Sequence, residues 1–380
     1  MALLNEEQES LRKMIQEFAQ QEIAPKAAHY DEAEEFPWEN IHKMADLGLL
    51  GMPISEEFGG SGTDTMSYIV GIEEISKACA ATGAIMAVHT STGVMPIYLF
   101  GTDEQKKKYV PDLASGKKIG AFALTEAGAG SDAAQVKTTA VLDGDEYVLN
   151  GSKCFITNGG EADVYTILAS IDKSKGTKGI TAFIVEKGTP GFTFGKKEHK
   201  MGIRASATRE LIFQDCRVPK ANLLGKEGEG FKNAMKVISG ARIGISAQAV
   251  GIAQASYEAA LEYSKVRVQF GKPIAKQQVI SFMLADMAIK IEAARQLVYH
   301  AAMLKDAGKP FDTEAAMCKT FASDTAVGIA LDAIQIFGGY GYTREYPVER
   351  YLRDAKITQI YEGTNQIQRL VISRNILGKF

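Results

Sequence analysis

Cysteine, histidine and tryptophan are scarce in this chain of 380 residues, and no block of like charge interrupts it. The four cysteines (Cys79, Cys154, Cys216, Cys318) stand far apart, which argues against a disulfide framework or a zinc site and fits a reducing compartment. The five histidines are equally scattered, so neither a metal set nor a nucleophile dyad is expected. A net charge of −3 leaves no broad cationic surface, and no nucleic-acid partner is expected. No run of about 18 apolar residues is apparent, so no membrane span is expected. The opening MALLNEEQESLRKMIQEF has acids from the start, unlike a signal or transit peptide. The expected compartment is the bacterial cytoplasm, or the mitochondrial matrix for a processed chain.

What the chain does have is 46% hydrophobic residues, too many over this length for one ordinary core. Its texture changes twice. Residues 1–118 read as five or six short helices, with Leu11, Met14, Ile15 and Phe18 at helical spacing and breaks at Pro25, Pro37, Pro53 and Gly59-Gly60. Residues 119–228 read as a small antiparallel β-domain, a barrel or sandwich. Its strand-like runs are Thr138–Leu142, Glu146–Leu149, Lys153–Thr157, Val164–Ser170, Ile180–Val185, Phe192–Phe194 and Glu210–Phe213, with turn signals at Asp143-Gly144 and Asn150-Gly151. Residues 229–380 return to long helical periods. Ile280, Leu284, Met287, Ile291, Ala294, Val298 and Ala301 step by four and three, and helices over Thr313–Phe337 and Thr364–Leu377 complete an expected four-helix bundle. The fold class is therefore mainly α with a central antiparallel β-domain.

Four segments carry groups suited to phosphates and flat rings, and a fifth isolates a single acid. FALTEAGAGSD (Phe122–Asp132) is a Gly-rich turn whose backbone N–H groups and the hydroxyls of Thr125 and Ser131 suit a phosphate or a ring, without the third glycine of a dinucleotide fingerprint. KCFITNGG (Lys153–Gly160) places Phe155 and Thr157 on one strand face and Ile156 on the other. RVQFGKPI (Arg267–Ile274) sets a guanidinium and a phenyl three residues apart at a helix end, so that both project from nearly one face. QIFGGYGY (Gln335–Tyr342) ends a helix in a glycine pair. QIYEGTNQIQ (Gln359–Gln368) isolates one acid, Glu362, ahead of a helix. Each segment also has a plain reading: a turn, core packing, a surface Arg, helix termination, an acid favouring the helix dipole.

Taken in this order and at these separations, the five segments resemble the acyl-CoA dehydrogenase flavoprotein family, most closely its short-chain, butyryl-CoA members, over essentially the whole chain. The resemblance implies a helical domain, a β-barrel domain and a four-helix bundle, in a homotetramer built as a dimer of dimers. It implies FAD, with Phe122, Leu124, Thr125, Gly130, Ser131, Phe155, Ile156 and Thr157 lining the flavin. Arg267, Phe270, Gln278, Gln335, Ile336, Gly338 and Gly339 would meet its pyrophosphate and adenosine across a subunit contact, and Thr364 and Gln366 would close the same site. Ser131, Ser239 and Arg242, with Tyr361 and Gly363, correspond to contacts with the acyl-CoA substrate.

Glu362 is then the expected base that takes an α-proton while the β-hydride passes to the flavin, giving a trans-2-enoyl-CoA. The backbone N–H of Glu362 and a ribityl hydroxyl of FAD would hold the thioester carbonyl. Branches that keep the base elsewhere place it near the SGAR stretch, and Ser239 to Arg242 offer no carboxylate. Close short-chain members tend to carry Asp where this chain has Ser239, and Ala127 replaces a frequent Pro. Electrons would pass to electron-transfer flavoprotein. The alternatives are an enoyl-CoA reductase in an electron-bifurcating complex, a medium- or branched-chain dehydrogenase, an oxygen-using oxidase or nitroalkane-type enzyme, and a non-catalytic scaffold. The last two fit poorly with Glu362 and Arg267 in place.

Overall fold

The computed structural model describes residues 4–378. Its first seven helices are α1 (Glu6–Phe18), α2 (Ala27–Ala33), α3 (Trp38–Asp46), α4 (Thr65–Ala78), α5 (Ala80–Val88), α6 (Met95–Phe100) and α7 (Asp103–Ala114). Local chemistry starts several of them. Asn5 and Gln8 form a reciprocal capping box on α1, Thr102 and Gln105 do the same on α7, and Asp64 accepts from the Ser67 N–H at 2.7 Å to open α4. Seven α-helices exceed the five or six expected, and one reason is Cys79. Its extended backbone (φ −153°) separates α4 from α5 with no Gly or Pro between Ile72 and Thr82 to signal the break. The stretch Ala80–Phe100 is long and apolar enough by composition to cross a bilayer, contrary to the expectation that no such run exists, yet 72% of its window is buried within the protein.

The sheet comprises β1 (Gly120–Ala123), β2 (Thr139–Asp143), β3 (Glu146–Thr157), β4 (Val164–Ser170), β5 (Ile180–Glu186), β6 (Phe192–Lys197), β7 (Thr208–Pro219) and β8 (Leu223–Leu224). The order is β6-β7-β3-β2-β4-β5-β8, with β1 attached to β4. Most neighbours are antiparallel, but β1 and β2 each run parallel to β4, because the chain leaves the sheet after β1 and re-enters through a hairpin. That hairpin turns at Gly144-Asp145, as Asp143-Gly144 signalled. Asn150-Gly151, expected as a second turn, is instead a bulge inside the single long strand β3. Gly151 holds φ +143° with the missing Cβ only 2.7 Å from Thr138, and the Asn150 amide is tied to Asp215 on β7, so the dipeptide kinks the strand without reversing it.

Five helices follow: α8 (Gly230–Val266), α9 (Gln278–Asp306), α10 (Asp312–Phe337), α11 (Val348–Thr358) and α12 (Asn365–Leu377). The first three and α12 match the expected bundle; α11 is additional, an amphipathic helix of 11 residues, too short to show a long apolar period. Helix α10 packs against the other four. Its buried face is built of small residues, Ala315, Cys318, Ala322, Ser323, Ala326, Ala330 and Ala333, which let neighbouring backbones approach.

One ion pair ties the Gly-rich segment to the sheet. Lys153, on β3 and fully buried, donates to Glu126 Oε1 at 2.7 Å and to the Leu124 carbonyl at 3.1 Å. Glu126 in turn accepts the N–H groups of Lys137 and Thr138 at 2.7 and 3.0 Å. Burial presses the Lys153 amine down to about 8, against the opposing pull of Glu126. Removing one partner leaves the other charge buried and unpaired, which typically costs about 3–5 kcal/mol. Lys153→Met is therefore expected to lower the thermal melting temperature substantially, and adding Glu126→Gln to restore part of the loss. Equal melting of single and double variants would refute the pairing.

Candidate active site

Between α11 and α12 the chain makes a tight turn that carries Tyr361, Glu362 and Gly363. Glu362 has φ +53° and Gly363 φ +90°, two successive left-handed residues of which only the second is a glycine. Three side chains from three helices hold this backbone. Gln368 of α12 donates to the Glu362 carbonyl at 3.1 Å and to the Gly363 carbonyl at 2.8 Å. Lys319 of α10 donates to the Gly363 carbonyl at 2.8 Å, and Arg242 Nε of α8 reaches the Glu362 carbonyl at 3.4 Å. The Asn365 N–H closes the turn onto the Gln359 carbonyl at 3.0 Å, and Thr364 caps α12. The backbone N–H groups of Glu362 and Gly363 have no acceptor among the described residues.

The turn forms one wall of a cleft of about 220 Å³. Opposite it lie the end of β1 and the Gly-rich segment, contributing Phe122, Leu124, Thr125, Gly130 and Ser131. Phe155, Ile156 and Thr157 come from β3, and Val88 and Thr92 from α5 and the wide turn after it. Met235, Ile238 and Arg242 come from α8. Phe155 is 65% exposed and itself left-handed (φ +57°), at a second register shift of β3, so its ring is turned out by a bulge as well as by strand alternation. Nothing lies within 4 Å of where a Cβ on Gly130 would be, leaving that backbone open to a ligand.

Electrostatically the cleft is unusual at Glu362. Desolvation pushes its carboxyl up to about 7, while Arg242 and Lys319 pull it down. The same desolvation lowers Lys319 to about 7 and depresses Arg242, each partly sustained by the charge of Glu362. Tyr361 is raised by burial and by Glu362, and its hydroxyl donates to Gln248, which in turn holds the Ala80 carbonyl at 2.9 Å. Such a group is mostly ionised just above neutrality and unusually basic for a carboxylate.

Of the residues singled out by sequence, twelve meet in this cleft: those of Phe122–Ser131 and Phe155–Thr157 named above, Arg242, Tyr361, Glu362 and Gly363. Ser239 is buried one turn before Arg242 and does not line it. The others lie elsewhere in the single chain. Arg267, Ile336, Gly338 and Gly339 line a separate cleft of about 430 Å³ with Tyr263 and Tyr340. Gln278, Gln335 and Gln366 are exposed, and Thr364 serves as the cap of α12.

The expectation that Arg267 and Phe270 project from one helix face fails. Helix α8 stops at Val266, Arg267 is extended (φ −71°, ψ 120°), and Phe270-Gly271 form the left-handed tip of a two-residue hairpin. Phe270 is 93% exposed, and Arg267 lies over the Tyr340 ring at 5.7 Å. Sequence reading passed over Lys319, Gln368, Glu126 and Lys153. Yet Glu126 and Lys153 stand inside two of the quoted motifs with opposite charges, and Lys319 falls in step with the Ala315, Ala322 and Ala326 stripe.

The matches to known proteins cover the same ground. Residues 5–117, 121–216 and 228–377 match the models of the acyl-CoA dehydrogenase N-terminal, middle and C-terminal domains. The short-chain specific acyl-CoA dehydrogenase of Clostridium acetobutylicum is 54% identical, over 98% of both chains. The structure of butyryl-CoA dehydrogenase from Megasphaera elsdenii superposes with a TM-score of 0.97 at 52% identity, over 98% of this chain and 99% of that one. A structure described for the electron transferring flavoprotein of Acidaminococcus fermentans and flavin-based electron bifurcation gives 0.98 at 57% identity, over 99% of each chain. With all three domain models matched in order and relatives more than half identical end to end, this chain is a member of the acyl-CoA dehydrogenase family.

Proposed function

We propose that this chain dehydrogenates a short-chain acyl-CoA of the butyryl type to the trans-2-enoyl-CoA, with Glu362 as the base and FAD as cofactor. The observation that carries the reading is Glu362 itself, a carboxyl raised to about 7 at the wall of a cleft, its own backbone N–H without an acceptor among the described residues. The cleft fits a flavin by its donor set: an apolar floor of Leu124 and Ile156, an exposed Phe155 ring, the hydroxyls of Thr125, Ser131 and Thr157, and open backbone at Gly130. When bound, FAD supplies the acceptor for the β-hydride.

The chain's own part is proton chemistry and positioning. A thioester α-proton is far less acidic than a carboxylic acid, so the base must be strengthened and the developing oxyanion stabilised together. Burial against Tyr361 does the first. The free N–H of Glu362 is suited to the second, since a donor aimed at the thioester oxygen is worth about 3 kcal/mol in such sites. Ser131 and Arg242, both in the cleft lining, are suited to the CoA part, and Arg242 also holds the Glu362 carbonyl.

The second cleft supports a site completed by another copy of the chain. Arg267, a planar guanidinium fork beside the open backbone of Gly338 and Gly339, suits a pyrophosphate, and the exposed ring of Phe270 at the hairpin tip suits an adenine. Exposed Val268 in the hairpin and exposed Val279, Phe282 and Ile289 along α9 support a homotetramer, a dimer of dimers. Electron-transferring flavoprotein is the proposed redox partner, in the cytoplasm of a bacterium. A second reading, reduction of an enoyl-CoA within a bifurcating complex, is favoured by the similarity to the Acidaminococcus structure.

Glu362→Gln is expected to keep bound yellow flavin and to lose flavin bleaching by butyryl-CoA by several orders of magnitude under anaerobic mixing; wild-type bleaching would remove the assignment. In the wild type the bleaching rate should rise with pH through about 7, since the raised carboxyl must first lose its proton; a rate flat from pH 5 to pH 9 would contradict it. Arg267→Ala should weaken FAD retention on dialysis, and unchanged flavin content would refute its role. A panel of acyl-CoAs from four to sixteen carbons and branched forms, read by the same bleaching, ranks chain length.

A further inference from the structure

The buried amine of Lys319 is not among the groups the proposed reaction uses directly. It sits in the first third of α10, 0% exposed, on the face packed against the turn of Glu362. Its Nζ donates to the Gly363 carbonyl at 2.8 Å and to Asn365 Oδ1 at 2.9 Å. Asn365, also buried, passes the link on, donating to Ser323 Oγ at 2.9 Å and to Asp324 Oδ1 at 2.7 Å. A lysine in a stripe of alanines is an expensive way to fill space, because a buried ammonium loses its hydration and must be repaid in hydrogen bonds. Here those bonds go to a backbone carbonyl that only a left-handed turn presents, directly after the proposed base.

We propose that Lys319 is a positioning residue for proton abstraction, its ammonium locking the Gly363 peptide and thereby fixing Glu362 toward the cleft in a state able to ionise. The inference rests on the reading of Glu362 as the base. Gln368 shares the mechanical part, with its amide on both carbonyls of the turn. It carries no charge, so the positive potential acting on Glu362 comes from Arg242 and, while its lowered amine keeps a proton, from Lys319. The other titratable groups facing the turn are Tyr68 from α4, Arg242 from α8, Cys318 and Asp324 from α10, Tyr361 from the turn itself and Arg369 from α12, which is paired with Asp324 at 3.0 Å. Asp312, at the start of α10, acts on Arg242 from farther along the helix. Nearest the carboxylate are two cations, and loss of one leaves Glu362 harder to ionise.

The test uses the FAD-loaded enzyme. Lys319→Met removes charge and hydrogen bonds, and Lys319→Gln removes the charge while keeping an N–H donor. Anaerobic bleaching by butyryl-CoA is followed from about pH 5.5 to about pH 9, together with flavin content, melting temperature and KM. The proposal expects normal flavin content and KM in Lys319→Gln, with the rising limb of the rate displaced toward alkaline pH by about one unit, so that the rate near neutrality falls about tenfold and recovers at high pH. Lys319→Met should show the same displacement and a lower plateau. A purely structural lysine would lower stability or flavin content and leave the limb where it was, and that outcome overturns the proposal. Should Lys319→Met fail to fold, Lys319→Gln decides alone, and if it too fails to load FAD the positioning role is rejected in favour of a structural one. Glu362→Gln is measured alongside. If it is inert and the limb is unmoved in the lysine variants, only Lys319 is misassigned. If it bleaches normally, the base assignment falls and the inference with it.

Discussion

The proposed reaction asks Glu362 to take a proton from carbon, and a carboxylate with that task has to be stripped of water without being neutralised. Burial alone would keep the group protonated through neutrality; cations alone would hold it as an inert ion. The structure applies both: desolvation pushes up, and Arg242 and Lys319 pull down, leaving the carboxyl near 7. Neither cation makes a salt bridge to the carboxylate. Each is spent on a backbone carbonyl of the turn, so the potential is delivered while the acid's own oxygens stay available.

That arrangement requires three helices to converge. Arg242 comes from α8, Lys319 from α10 and Gln368 from α12, and α10 touches every other helix of the C-terminal unit. Such close approach is possible because α10 offers alanine, serine and cysteine on its inner faces. The opposite wall of the cleft is fixed in a similar way, by the Lys153 and Glu126 pair that staples the Gly-rich segment to β3. Each wall is thus anchored by a buried amine holding irregular backbone in place. Loops without such anchors would leave the separation of a ring and a base to chance.

Much of this was legible in the sequence. Helical periods identified α8, α9 and α10, and Asp143-Gly144 marked a true hairpin. The quoted motifs supplied twelve residues of one cleft. What escaped notice did so for physical reasons. Asn150-Gly151 has turn chemistry, yet tertiary pairing with Asp215 made it a bulge. Helical spacing was assumed through Arg267 and Phe270, but helix termination is decided by the hairpin that follows. Lys319 reads as one polar residue in an amphipathic helix, and only the alanines above and below it in register betray that it faces inward. Groups that act through the backbone leave no motif of their own.

The left-handed conformation of Glu362 gives the reason for such anchoring. A non-glycine residue held there costs roughly 1–3 kcal/mol, and a glycine at 362 would avoid that cost but remove the acid. Under the proposed function the turn carries a strained residue because its side chain is needed, and the strain must be offset locally. Four hydrogen bonds to two consecutive carbonyls do so. Peptide planarity adds a consequence: with the Glu362 carbonyl drawn toward Arg242 and Gln368, the N–H of Gly363 points the opposite way, and it joins the Glu362 N–H in having no acceptor among the described residues. A single backbone conformation thus places the Glu362 carboxyl and leaves donors unspent beside it, so in the proposed reaction base strength and oxyanion stabilisation stand or fall with the same buried contacts.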